Sequence, residues 1–161
     1  MAAGTLITDS ALTFGDALPD GGALLALDLG TKTIGTATSD AGWMFATAGK
    51  TLPRGRFGKD KAKLEEIVKE RSIRGLVLGL PRNMDGSEGP RAQASRAYAR
   101  NLAQALELPV LLWDERWSTS SAESAMIGQD MSRAKRAEKI DSHAAAVILQ
   151  GAIDTLAGGG F

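Results

Sequence analysis

The sequence predicts an α/β protein with a mixed β-sheet, an antiparallel meander followed by parallel strands, and helices on both faces. Three observations predict it. Short apolar runs separated by turn residues fill the first third of the chain. Helix-period segments then alternate with leucine-rich runs. Prolines mark where strands end and helices begin.

Residues 1–22 mix Gly, Asp, Thr and Ala without sustained periodicity and are expected to form a flexible N-terminal extension. The domain proper is expected over 23–157, with 158–161 as a C-terminal tail. "LLALDL" reads as a buried strand closed by Gly30. A second strand over 33–38 turns at "SDAG" into a third around 43–51. A helix follows over 60–71, with Leu64, Ile67 and Val68 on one face. "RGLVLGLP" supplies another buried strand, ended by Pro81. The loop "RNMDGSEG" leads to Pro90, which suits the first turn of a helix reaching about residue 107. Pro109 starts the strand "VLLW". Ser120 and Glu123 make a capping-box pattern for a further helix, and the last helix covers about 138–156.

At 161 residues the chain suits one domain, able to bury roughly two thirds of its unfolded surface. Formal net charge is zero, so no global field draws it to nucleic acid or membrane. The charge is unevenly spread, however. Lys50, Arg54, Arg56, Lys59, Lys61 and Lys63 face only Asp60 in their segment, and "SRAKRAEK" adds Arg133, Lys135, Arg136 and Lys139. These stripes suit a local anionic ligand or, equally, two solvated surfaces. The chain has no cysteine, which excludes disulfides, thiolate nucleophiles and zinc–sulfur sites. His143 is the single histidine, so a multi-histidine metal cluster is excluded too. Carboxylates with a hard metal are the chemistry left within reach. No signal-peptide pattern or run of about 20 apolar residues is present, and a cytoplasmic protein without membrane contact is expected.

Three acidic positions stand out. Asp28 shares a strand face with Leu24 and Ala26. A lone buried carboxylate is unfavourable unless it is paired, hydrogen-bonded or metal-bound. It suits a metal site, or a turn cap paired with Lys32. Asp114 and Glu115 end the strand "VLLW", where functional residues of α/β sheets gather. Neighbours on a strand point opposite ways, so one acid can face a site while the other meets backbone or Arg116; both could also cap the following helix. Asp141 shares a helix face with Ala144, Ala145 and Ile148, a small-residue face suited to close packing on a sheet. Its other reading is a first-turn acid interacting with the helix dipole. Two bare carboxylates about 4 Å apart repel by about 4 kcal/mol at an effective dielectric near 20. Three converging acids therefore take up protons or bind cations.

In this order, "LALDLGTKTIGTATSD", "GLPRNMDGSEGPRA", "WDERWSTSSAE" and "KIDSHAAAVILQ" resemble the YqgF family, also called RuvX, of Holliday junction resolvase-like proteins. The resemblance covers about residues 24–154. It implies a ribonuclease H-like fold and a divalent-metal nuclease that matures the 5′ end of pre-16S ribosomal RNA. It places the catalytic and metal-binding acids at Asp28, Glu115 and Asp141, with Mg²⁺ or Mn²⁺, two ions, between them. Asp114 and Lys32 would assist. Asn83, Arg116, Arg133, Lys135, Arg136 and Lys139 would contact nucleic acid. The implied partners are structured precursor rRNA or branched DNA, together with ribosomal particles, for a monomer or homodimer. His143 and Trp117 depart from the family pattern; the first suits a half-buried helix face, the second base stacking or core packing.

Three functions remain open on the sequence. They are an RNA endonuclease, a DNA junction resolvase using the same chemistry, and a non-catalytic nucleic-acid-binding factor. An actin-like ATPase reading of "DLGTKTIG" fails on length, because that architecture needs two such domains around its nucleotide.

Overall fold

The structure, a computed structural model, describes residues 6–115 and 133–158; of 133–141 it describes the backbone alone. Its elements are β1 (Ile7–Thr8), α1 (Ala11–Asp16), β2 (Leu24–Leu29), β3 (Thr33–Ser39), β4 (Ala46–Pro53), α2 (Phe57–Arg71), β5 (Gly75–Leu80), α3 (Pro90–Leu106), β6 (Val110–Asp114) and α4 (Arg133–Ala157). The strands form one sheet in the order β1-β6-β5-β2-β3-β4. The β2–β3–β4 meander is antiparallel, while β2, β5, β6 and β1 run parallel. The mixed sheet with helices on both faces is the predicted one.

Period-two alternation sorts β2 onto two cores. Leu25, Leu27 and Leu29 pack with Leu64 of α2 and with Tyr98, Ala99 and Leu102 of α3. Leu24 and Ala26 pack with Ala145, Ile148, Leu149 and Ala152 of α4 and with Phe14 of α1. Asp28 continues the Leu24–Ala26 row, so it points to the α4 side.

The expected loose extension over 1–22 does not hold for residues 7–18. Ile7 and Thr8 pair in parallel with Val110 and Leu111, closing the sheet edge at β6. Ser10 caps α1 by accepting from the Thr13 amide, and Phe14 is fully buried. One aromatic anchor outweighs the weak periodicity around it. The third strand also starts three residues later than the sequence suggests. Asp40 accepts from the amides of Gly42, Met44 and Phe45, which holds 40–45 as a loop and depresses the pKa of its own carboxyl. In α2 the start moves back to Phe57, where no side chain caps the helix to signal it. The helix expected from Ser120 lies outside the described residues.

Candidate active site

β2, β5 and β6 are parallel and adjacent, so their carboxyl ends open on one edge of the sheet, where ligands of such folds bind. Asp28 lies near the end of β2, Gly79 near the end of β5, and Glu115 just past β6. The register pairing Leu27 with Leu78 brings Asp28 level with Gly79. Neighbouring strands are about 4.8 Å apart, so β6 and β2 stand about 10 Å apart across β5. Glu115 crosses that gap and hydrogen-bonds Asp28.

Gly79 makes the crossing possible. A Cβ there would sit 2.8 Å from Glu115 Oε1 and 2.9 Å from its Cγ and Cδ. On the other side of Asp28, the directly paired residue of β3 is Gly35. The row Glu115–Gly79–Asp28–Gly35 thus places two carboxyls over a floor without side chains. Neither glycine was singled out from the sequence, since the requirement for them is set by strand order.

Burial pushes the Glu115 carboxyl up to about 9, and the hydrogen bond and charge of Asp28 add to the rise. Asp114 contributes in the same direction, while Arg91 opposes it. Burial and the neighbouring Asp28 thus both favour the protonated form of Glu115, which is hydrogen-bonded to Asp28. Two hard oxygen donors that retain a proton to offset their repulsion fit a divalent cation of the Mg²⁺ or Mn²⁺ kind. Among the described residues no group of three His, Cys, Asp or Glu side chains could hold a metal. The expected third ligand, Asp141, is on α4, and its side chain lies outside the description.

α4 is tied to the sheet beside this row. Thr51 pairs with Gly35, and its hydroxyl meets the Ser142 hydroxyl at 2.5 Å. Gln150, two turns further on, accepts from the Ala46 amide and donates to the Met44 carbonyl. The backbone carrying Asp141 is thereby fixed one residue from a bonded position.

The turn after Asp28 is held by two arginines. Arg54 Nη1 donates to the Gly30 carbonyl at 2.7 Å, and Arg91 Nη2 donates to the Leu29 carbonyl at 3.2 Å. Arg54, which the sequence placed in a surface stripe, is turned inward over the Tyr98 ring, 5.2 Å from its centroid. The Tyr98 hydroxyl donates to buried Asp60 at 3.0 Å, and burial with that charge raises the hydroxyl pKa. Lys32 is exposed on the same turn, with its carbonyl bonded by the Arg54 amide.

The other expected residues divide. Asp114 faces away from Glu115, as strand alternation requires, and meets Arg82 at 3.6 Å; Arg116, expected beside backbone as a contact of whichever acid turned from the site, lies outside the described residues. Arg82 also reaches Glu88 at 3.3 Å and Asp9 at 3.4 Å, joining the loop after β5 to the N-terminal segment. Glu88 is gripped by Arg96 through two 2.6 Å bonds. Asn83 is exposed in that loop, and its amide donates to the Ser87 hydroxyl. His143 is half-buried on α4. Arg133, Lys135, Arg136 and Lys139 lie on the first turns of α4, their side chains outside the description; Arg116 and Trp117 lie outside the described residues altogether.

A family model described as RuvX, Holliday junction resolvase, matches residues 22–155. The chain belongs to the RuvX family. A RuvX relative from Novosphingobium aromaticivorans, named "Putative pre-16S rRNA nuclease", is 64% identical over 156 residues, covering 97% of this chain and 100% of its own. One of the same name from Sphingopyxis alaskensis is 61% identical over 151 residues, covering 94% and 99%. Among solved structures, T. thermophilus RuvC in complex with a Holliday junction substrate superposes with a TM-score of 0.56 at 15% identity, over 86% of this chain and 98% of that one. That likeness places this RuvX chain in the ribonuclease H-like fold. No helix of the described residues is long and apolar enough to cross a membrane.

Proposed function

We propose that this protein is a metal-dependent endonuclease that hydrolyses phosphodiester bonds in structured RNA, trimming the 5′ end of pre-16S ribosomal RNA. The observation that carries this reading is the meeting of Asp28 and Glu115 over Gly79 at the carboxyl ends of three parallel strands. The names of the close relatives supply the substrate.

In this reading Asp28, Glu115 and Asp141 hold Mg²⁺ or Mn²⁺. Ions held there supply positive charge to the attacking and leaving oxygens of the displacement. Glu115 would lose its proton to bind such an ion, since a coordinating carboxylate is deprotonated. The α4 cations Arg133, Lys135, Arg136 and Lys139 hold backbone phosphates near Asp141, with Arg116 and Asn83 at the border of the substrate. Lys32, presented on a turn pinned by Arg54, adds charge beside the acids. Hydrolysis takes one water: its oxygen bonds to phosphorus, the bond to the leaving oxygen breaks, and a proton passes to solvent as the leaving oxygen gains one.

A second reading, resolution of branched DNA, is favoured by the family's description. A paired assay on a precursor rRNA fragment and a four-way DNA junction, with wild type and Asp28→Asn, tests both. Divalent-dependent cleavage of the RNA alone, lost in the variant, supports the proposal. Paired symmetric cuts in the junction with intact RNA select the second reading. Equal cleavage by Asp28→Asn removes the site.

A further inference from the structure

Arg91 stands in the first turn of α3, directly after the loop that leaves β5. Its guanidinium bonds the carbonyl of Leu29, the residue after Asp28, and its charge is felt by Glu115. The side chain is otherwise exposed, and among the described residues it makes no ion pair. The neighbouring arginines differ: Arg82 and Arg96 are paired to carboxylates, and Arg54 is stacked on Tyr98. One bond to a neutral carbonyl occupies one of five guanidinium N–H donors and leaves further donors for a ligand. A planar fork anchored at one corner, beside two acids, suits bidentate contact with a phosphate.

We propose that Arg91 contacts the phosphate being cleaved, from the α3 side of the Asp28–Glu115 pair. This inference rests on the nuclease reading above. As the attacking oxygen bonds to phosphorus and the leaving oxygen departs, negative charge grows on the non-bridging oxygens. Hydrogen bonds from a fixed guanidinium strengthen as it does. Arg91 stays protonated throughout, so the proton balance of the hydrolysis is unchanged.

The test uses the full chain, a precursor rRNA fragment, and three variants, R91A, R91K and R100A. Arg100 is exposed on the same helix nine residues further along, on its opposite face, and serves as the charge control. Binding is measured without divalent ion across a salt series, and single-turnover cleavage with Mg²⁺. R91A is expected to lower the slope of log affinity against log salt by about 0.7–0.9. It is also expected to slow cleavage by on the order of a hundredfold. R91K keeps the slope and loses part of the rate, and R100A keeps the wild-type cleavage rate. Wild-type slope and rate in R91A overturn the proposal. So does a slower rate with an unchanged slope and weaker Mg²⁺ binding, which assigns Arg91 to holding the Leu29 turn. Wild type that binds RNA yet cleaves neither it nor a junction overturns the nuclease reading. The slope then decides alone: reduced in R91A, it still supports a phosphate contact; unchanged, it removes one.

Discussion

Glu115 reaches Asp28 by passing over Gly79, and the space it uses is the space a Cβ would fill. The two acids come from strands that are not neighbours in the sheet, so their contact depends on what β5 carries between them.

Gly79→Ala is therefore expected to separate the acids while leaving the fold in place. Overpacking of this kind costs about 1–3 kcal/mol. Divalent-dependent cleavage should fall far more than chemical unfolding stability does. Nuclear magnetic resonance titration of Glu115 should show its pKa dropping from about 9 towards the ordinary 4.5. An unchanged pKa in the variant refutes the crossing geometry.

Stability without metal should fall as pH rises. Glu115 binds its proton more tightly in the folded chain than in the unfolded one, so the stability linked to it is whole below about 4.5 and is lost on the way to about 9. One proton sets a limiting slope of about 1.4 kcal/mol per pH unit. Urea unfolding in a chelating buffer should show this decline for wild type and a flatter profile for Glu115→Gln.

Mg²⁺ or Mn²⁺ should reverse that decline. A ligand at a hundred times its Kd adds about 2.7 kcal/mol to stability. The Tm of wild type at pH 8 should rise with divalent concentration and fall back on chelation. Asp28→Asn should show little of either response.

Removing the Tyr98 hydroxyl deprives buried Asp60 of a donor 3.0 Å away. Tyr98→Phe should destabilise the chain by about 1–3 kcal/mol. Arg54→Ala should also loosen the Gly30 turn, so its loss of cleavage should exceed that of Tyr98→Phe at matched stability. Urea unfolding beside single-turnover rates separates the two.

Phe14→Ala should cost about 3–5 kcal/mol, because the ring is fully buried against α4 and the sheet. A variant as stable as wild type in urea unfolding returns residues 7–18 to the role of a dispensable extension.

The strands, most helices and the facing of Asp28 were legible in the chain because they follow from local periodicity. Alternation along "LLALDL" placed the acid on the Leu24–Ala26 row before any partner was known. The same rule split Asp114 from Glu115. It could not say that Arg82, 32 residues upstream, would take Asp114, or that Arg54 would leave its basic stripe for Tyr98.

By itself the sequence determined the fold class, the family and the acids worth watching, since each is written in short-range pattern and motif. Tertiary structure decided which of them meet. Strand order put Gly79 between Glu115 and Asp28, gave Arg91 its place beside them, and drew Phe14 into the core. Such pairings depend on contacts between segments far apart in the chain, and no local period encodes them.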